Sequence, residues 1–91
     1  MYFIVSYDIT EDDRRLKVAK TLKNYGERVQ YSVFECQINQ EQLASMINSL
    51  KKLMNAKEDS IRVYQLCEGC IKKSLSLGEG EIFKEKDVFM V

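Results

Sequence analysis

Arg28-Val29-Gln30-Tyr31-Ser32-Val33-Phe34-Glu35-Cys36-Gln37-Ile38 is the stretch on which the fold turns. Its aromatic and β-branched side chains mark it as extended. No Gly, Asn or Pro interrupts it, so local rules read one long strand. The chain then runs strand, helix, long strand, helix, strand, tail. That order favours an α+β sandwich, with helices on one face of a sheet. If the stretch folds as two strands, the order becomes βαββαβ, the ferredoxin-like arrangement.

Working outward, Tyr2-Phe3-Ile4-Val5-Ser6-Tyr7-Asp8-Ile9 reads as a buried strand that carries a carboxylate, Asp8, near its C-terminal end. Thr10 is a suitable N-cap for the helix that follows, with Asp13 as the acid of a capping box. Glu11, Asp12 and Asp13 suit the positive end of the helix dipole. The helix is expected to run to Tyr25, with Gly26 as its C′ residue. Leu16, Val18, Ala19, Leu22 and Tyr25 share one face at helical spacing. Arg14, Lys17 and Lys20 share the opposite face, and Arg15 falls among the apolar residues. Downstream, Asn39 and Gln42 form a capping box for a second helix with a stripe of Leu43, Met46, Ile47, Leu50, Leu53 and Met54. Asn55 to Asp59 is a polar loop. Ser60 to Cys67 is a strand in which Ile61, Val63 and Gln65 alternate against Arg62, Tyr64 and Leu66. The signal weakens after Cys70, so the domain is placed at 1–70 and a tail at 71–91. Ile82-Phe83 and Val88 to Val91 are short apolar pieces able to extend a sheet edge.

The chain has 91 residues and a formal net charge of zero. One domain of this size leaves much of its surface exposed, which makes oligomerisation a reasonable expectation. Balanced charge argues against a wholesale polyanion binder but leaves room for one basic face. There is no histidine. That excludes Ser-His-Asp and Cys-His catalysis, histidine general bases and histidine metal ligands. Cys36, Cys67 and Cys70 form no secretory framework. No signal peptide is visible, and no run approaches the roughly 20 apolar residues that cross a bilayer. A cytoplasmic protein with reduced thiols and no membrane partner is expected.

Few seats for chemistry remain. Asp8 is poorly explained by packing, although a strand-end aspartate can also cap a turn. Arg15 on an apolar face needs a partner, because a buried unpaired guanidinium is costly. Asp8 or a substrate phosphate would serve, and a surface pair with Asp12 or Glu11 is the plain alternative. The stripe Arg14, Lys17, Lys20 is either a solvated face or a track along a phosphate backbone. Cys67-Glu68-Gly69-Cys70 is a C-x-x-C, but structural zinc wants four ligands and a redox motif should begin a helix after a strand, which the downstream residues do not promise.

Tyr7-Asp8-Ile9, Asp12, Arg15, Leu22, Tyr25-Gly26, then Arg28 to Glu35 with its Gln-Tyr-Ser-Val-Phe-Glu core, and Asp59 to Tyr64 resemble the CRISPR-associated protein 2 family. The resemblance implies a ferredoxin-like fold, a break in the long stretch near Gln30 to Ser32, a tight homodimer and a short extra C-terminal strand. The tail would add that strand to the partner subunit or dock the integrase. The resemblance further implies a metal-dependent endonuclease cutting RNA or DNA. Asp8 from both subunits would share a magnesium or manganese ion. Arg15, Arg28 and Ser32 take catalytic or phosphate-binding places, Tyr7 lines the site, and Phe34 is a candidate to stack on a base. Arg14, Lys17 and Lys20 would contact nucleic acid. The implied partners are RNA or double-stranded DNA and the integrase, CRISPR-associated protein 1. The alternatives are a purely architectural DNA-bridging dimer, a toxin-like ribonuclease of the same fold, and a regulatory domain binding a small metabolite.

Overall fold

The structure, a computed structural model, describes residues 1–83. The elements are β1 (Tyr2–Asp8), α1 (Asp12–Leu22), β2 (Gly26–Gln30), β3 (Val33–Gln37), α2 (Gln40–Leu53), β4 (Ser60–Leu66) and α3 (Glu68–Lys73). The four strands form one antiparallel sheet in the order β2-β3-β1-β4. With α1 and α2 packed on one face, this is the ferredoxin-like α+β fold.

The stretch 28–38 is two strands, broken at Tyr31-Ser32. Neither turn residue has a positive φ, so the turn makes no demand for Gly or Asn. A register shift between Arg28 and Gln30 supplies the bend instead. The Tyr7 amide donates to the Ser32 carbonyl at 3.1 Å and ties this turn to the central strand.

The parity of β1 sorts the sheet into two faces. Phe3, Val5 and Tyr7 point toward the helices, where they meet Phe34, Cys36, Val18, Leu22, Met46 and Leu50 in the main core. Each fully buried aliphatic or aromatic side chain there contributes about 1.5–3 kcal/mol. Tyr2, Ile4, Ser6 and Asp8 point the other way. At the Tyr2 end that face is covered by Ile71 of α3 and by Phe83, with Ile4, Leu66 and Ile82 alongside. The Tyr2 and Phe83 rings meet edge-on at 5.2 Å, and the Phe83 amide donates to the Glu35 carboxylate at 2.6 Å. At the Asp8 end the described residues leave the face open.

Several local expectations are corrected. Glu11, not Thr10, caps α1, accepting from the Asp13 and Arg14 amides at 3.2 and 3.0 Å. The Thr10 hydroxyl is drawn away to Glu58 and Asp59. α1 ends at Leu22, and Gly26 begins β2 rather than capping the helix. Gly26 is needed for closeness: a Cβ there would run into the Glu35 carbonyl and the Cys36 sulfur. Leu16, expected in the core, is 68% exposed. A helix does begin within the C-x-x-C, with Cys67 as its N-cap, so the boundary drawn at residue 70 falls inside α3. Asn39 and Gln42 form the expected capping box. Of the apolar pieces proposed for an extra C-terminal strand, Ile82-Phe83 is a turn, and Val88 to Val91 lies outside the described residues.

Candidate nucleic-acid site

Asp8 ends β1 on the open face, opposite Ser60 of β4 and exposed to solvent. It lines a concavity of about 220 Å³ with Ser6, Ser60, Arg62 and Tyr64. Among the described residues Asp8 forms no ion pair. The carboxylate therefore keeps all its acceptor capacity. A larger groove of about 600 Å³ lies between β2, β3 and residues 75–82. Among the described residues Glu27, Glu35, Glu79 and Glu81 line it with a single cation, Arg28, and this acidic excess disfavours a phosphate backbone.

The arginines do not gather around Asp8 as expected. Arg28 is paired with Phe34 in the register and so lies on the helix-side face. Its guanidinium donates to the Tyr7 hydroxyl at 3.3 Å and stands 5.9 and 5.6 Å from the Tyr31 and Phe34 ring centroids. Arg15 is held near the same rim. It donates to the Ile9 carbonyl at 3.2 Å and pairs with Asp12 at 2.8 Å, which is the plain surface pair. Asp12 foremost, and then the Tyr31 hydroxyl, push its pKa up. Arg15 and Arg28 thus converge on Tyr31, away from the Asp8 face.

Arg14, placed with Lys17 and Lys20 on a solvated face or a track contacting nucleic acid, is instead locked to Asp59. Its Nε lies 2.8 Å from Asp59 Oδ2 and its Nη2 3.2 Å from Oδ1, a bidentate pair, with Glu58 at 3.1 Å. The Asp59 carboxylate is fully buried and also accepts from the Asn55 and Thr10 amides. The Arg14 hydrogen bond, followed by those amides, holds Asp59 well below the usual carboxylate range. Lys17 and Lys20 remain exposed on α1. Phe34 is 0% exposed, so base stacking gives way to core packing against Tyr7. Ser32 sits half-buried in the β2–β3 turn, engaged through its carbonyl.

Two residues that sequence reasoning did not place in the site, Arg62 and Tyr64, share the concavity with Asp8. The alternation of β4 already put them on one face. Which face that was depended on the β1–β4 register. Cys67 and Cys70 are exposed at the start of α3, and Cys36 is buried. The Cys70 amide donates to Cys67 Sγ at 3.4 Å.

The fold and this site define a class: a small ferredoxin-like domain whose open sheet face presents an uncommitted carboxylate. The family model described as CRISPR associated protein Cas2 matches residues 1–74, and the chain belongs to that family. It is 45% identical over 76 residues to "CRISPR-associated endoribonuclease Cas2 4" of Rhodospirillum rubrum, covering 84% of this chain and 61% of that relative's length. It superposes on Streptococcus pyogenes Cas2 with a TM-score of 0.76 at 34% identity, covering 86% of this chain and all of that one. It also matches a chain of a partial Cas6-RT-Cas1–Cas2 complex with a TM-score of 0.66 at 34% identity, over 84% of this chain and 89% of the other. Among the described residues no helix is long and apolar enough to cross a membrane.

Proposed function

We propose that this chain is an endonuclease of nucleic-acid phosphodiesters, acting as a homodimer with a divalent metal ion, magnesium or manganese. The observation that carries the reading is Asp8: exposed, unpaired, at the end of the central strand, in a family whose relatives include named endoribonucleases.

The residues fit a hydrated magnesium ion only in part. Among the described residues no three His, Cys, Asp or Glu side chains cluster as a metal cage. One chain offers the Asp8 carboxylate, with the Ser6, Ser60 and Tyr64 hydroxyls around the same concavity. Magnesium accepts such a sparse set, because it keeps several waters and takes one or two carboxylates plus substrate oxygens. A second carboxylate would come from Asp8 of a partner copy. Bound there, the ion supplies Lewis acidity and an activated water. This chain's own residues hold and orient. Asp8 supplies the hard oxygen ligand, and the Ser6 and Ser60 hydroxyls can donate to phosphate oxygens. Arg28 and Arg15 serve a different stretch of backbone on the rim beside Tyr31.

The similarity to a chain of a Cas1–Cas2 complex, together with the exposed Lys17 and Lys20, favours a second, compatible reading. The dimer would also bridge duplex DNA beside Cas1 through backbone contacts.

The test is a cleavage panel on RNA and on duplex DNA, in magnesium, manganese or chelator, comparing wild type with Asp8→Asn. Metal-dependent cleavage lost in Asp8→Asn is expected. Cleavage by Asp8→Asn at the wild-type rate overturns the nuclease reading and leaves the bridging one. Sedimentation showing only single chains at working concentration would remove the shared metal.

A further inference from the structure

The chain holds four arginines, Arg14, Arg15, Arg28 and Arg62. Three lie away from the Asp8 concavity. Arg14 is clamped by Asp59 and Glu58, Arg15 by Asp12 and the Ile9 carbonyl, and Arg28 lies over aromatic rings on the helix-side face. Arg62 alone shares the Asp8 face. It stands opposite Ser6 in the β1–β4 register while Asp8 stands opposite Ser60, which makes Arg62 and Asp8 diagonal neighbours across one strand pair. Such neighbours lie within reach of long side chains. Yet among the described residues Arg62 forms no ion pair. Its guanidinium donates to the Tyr64 hydroxyl at 3.4 Å, two residues along the same strand. That contact satisfies one of five N–H donors and leaves the charge unneutralised.

A cation and an anion side by side, each unspent on the other, suit a ligand that brings both signs. A phosphodiester with its hydrated divalent cation is one: the carboxylate takes the metal and the guanidinium takes a phosphate oxygen pair. We propose that Arg62 clamps the phosphate presented to Asp8, with Tyr64 as the positioning residue that fixes the guanidinium along β4. This rests on the nuclease reading of Asp8 and names the group that reads the substrate's charge at that site.

The test separates the two ideas by measuring binding without cleavage. In an Asp8→Asn background, affinity for a labelled single-stranded RNA oligonucleotide, and for a duplex DNA of matched length, is measured from low to moderate salt. Adding Arg62→Ala is expected to weaken binding about tenfold. It is also expected to make the log–log salt slope shallower by about 0.7 for the single strand or about 0.9 for the duplex, one phosphate contact. Arg62→Lys keeps the slope and recovers only part of the affinity, since the bidentate fork is gone. Tyr64→Phe weakens binding two- to threefold when Arg62 is present and has no effect when it is absent, the coupling expected of a residue acting through another. Equal affinity and slope with and without Arg62→Ala overturns the proposal whatever the cleavage panel gives. Failure of the Asp8→Asn parent to bind either probe overturns it as well. Both side chains are exposed, and an unchanged melting temperature confirms that each variant folds.

Discussion

Two Asp–Arg neighbourhoods lie at the same end of the sheet, and they have opposite fates. Asp59 immediately precedes Ser60, the register partner of Asp8. Asp59 is sealed: a bidentate Arg14 and two backbone amides take up its oxygens, and its side chain is fully buried. Asp8 is open: its diagonal neighbour Arg62 leans on a tyrosine instead. The first neighbourhood joins the start of α1 to the start of β4 and so holds the fold. The second holds nothing of the fold together. Residue type does not separate these two carboxylates; uncommitted hydrogen-bonding capacity does.

The contrast breaks most visibly at Asp8. Asp8→Asn is expected to reduce cleavage by roughly 10³-fold, the scale of losing several kcal/mol of charge stabilisation, with no change in melting temperature. A large drop in melting temperature would mean that Asp8 is structural after all. Asp59→Asn should do the reverse. Removing the charge that faces Arg14 lowers the melting temperature by roughly 5–15 °C in calorimetry, while cleavage per folded molecule persists.

Acid sharpens the same comparison. Asp59 is held below its unfolded pKa, so its stabilisation is complete above the ordinary carboxylate range near pH 4 and is lost as pH falls below it. The wild-type protein should therefore lose stability between about pH 5 and pH 2 more steeply than Asp59→Asn, as followed by denaturant midpoints at each pH.

The basic stripe divides on the same line. Lys17→Ala with Lys20→Ala should weaken duplex DNA binding about three- to tenfold at low salt without destabilising the chain. Arg14→Ala should cost melting temperature and leave the salt slope unchanged. The smallest effect concerns thiols. Burial, aided by Glu35, pushes Cys36 up to about 11. The Cys70 amide, with the Cys70 thiol after it, pulls Cys67 down. Thiol labelling of the native protein should modify Cys67 first and spare Cys36 until denaturant is added.

What the sequence made legible follows from the range of the interactions. The β1 run, the α2 stripe and the Asn39–Gln42 capping box depend on neighbours within a few residues, and the structure has all three. The break at Tyr31-Ser32 carries no glycine because the register shift does that work, so family likeness and not local rules revealed it. Thr10 lost its capping role to acceptors nearly fifty residues away, which also claimed Arg14 from the solvent stripe. Arg15 looks misplaced on the helical wheel, but its Nε reaches the Ile9 carbonyl at the β1–α1 junction and its Nη1 meets Asp12. Asp8 stood out as a candidate because nothing local explained it. Arg62 did not, since strand alternation gives two faces and only the β1–β4 pairing says which one holds Asp8.

The Glu35 carboxylate grips the Phe83 amide while the Phe83 ring rests on Tyr2. A shortened gene product ending at residue 74, where the family match stops, would lose that lid. It would bare Tyr2, Ile4 and Ile71 as a contiguous greasy surface at the far end from Asp8. Such a minimal fragment should fold yet precipitate, and a chain that keeps residues 75–83 is the sounder choice for crystallisation and enzymology alike.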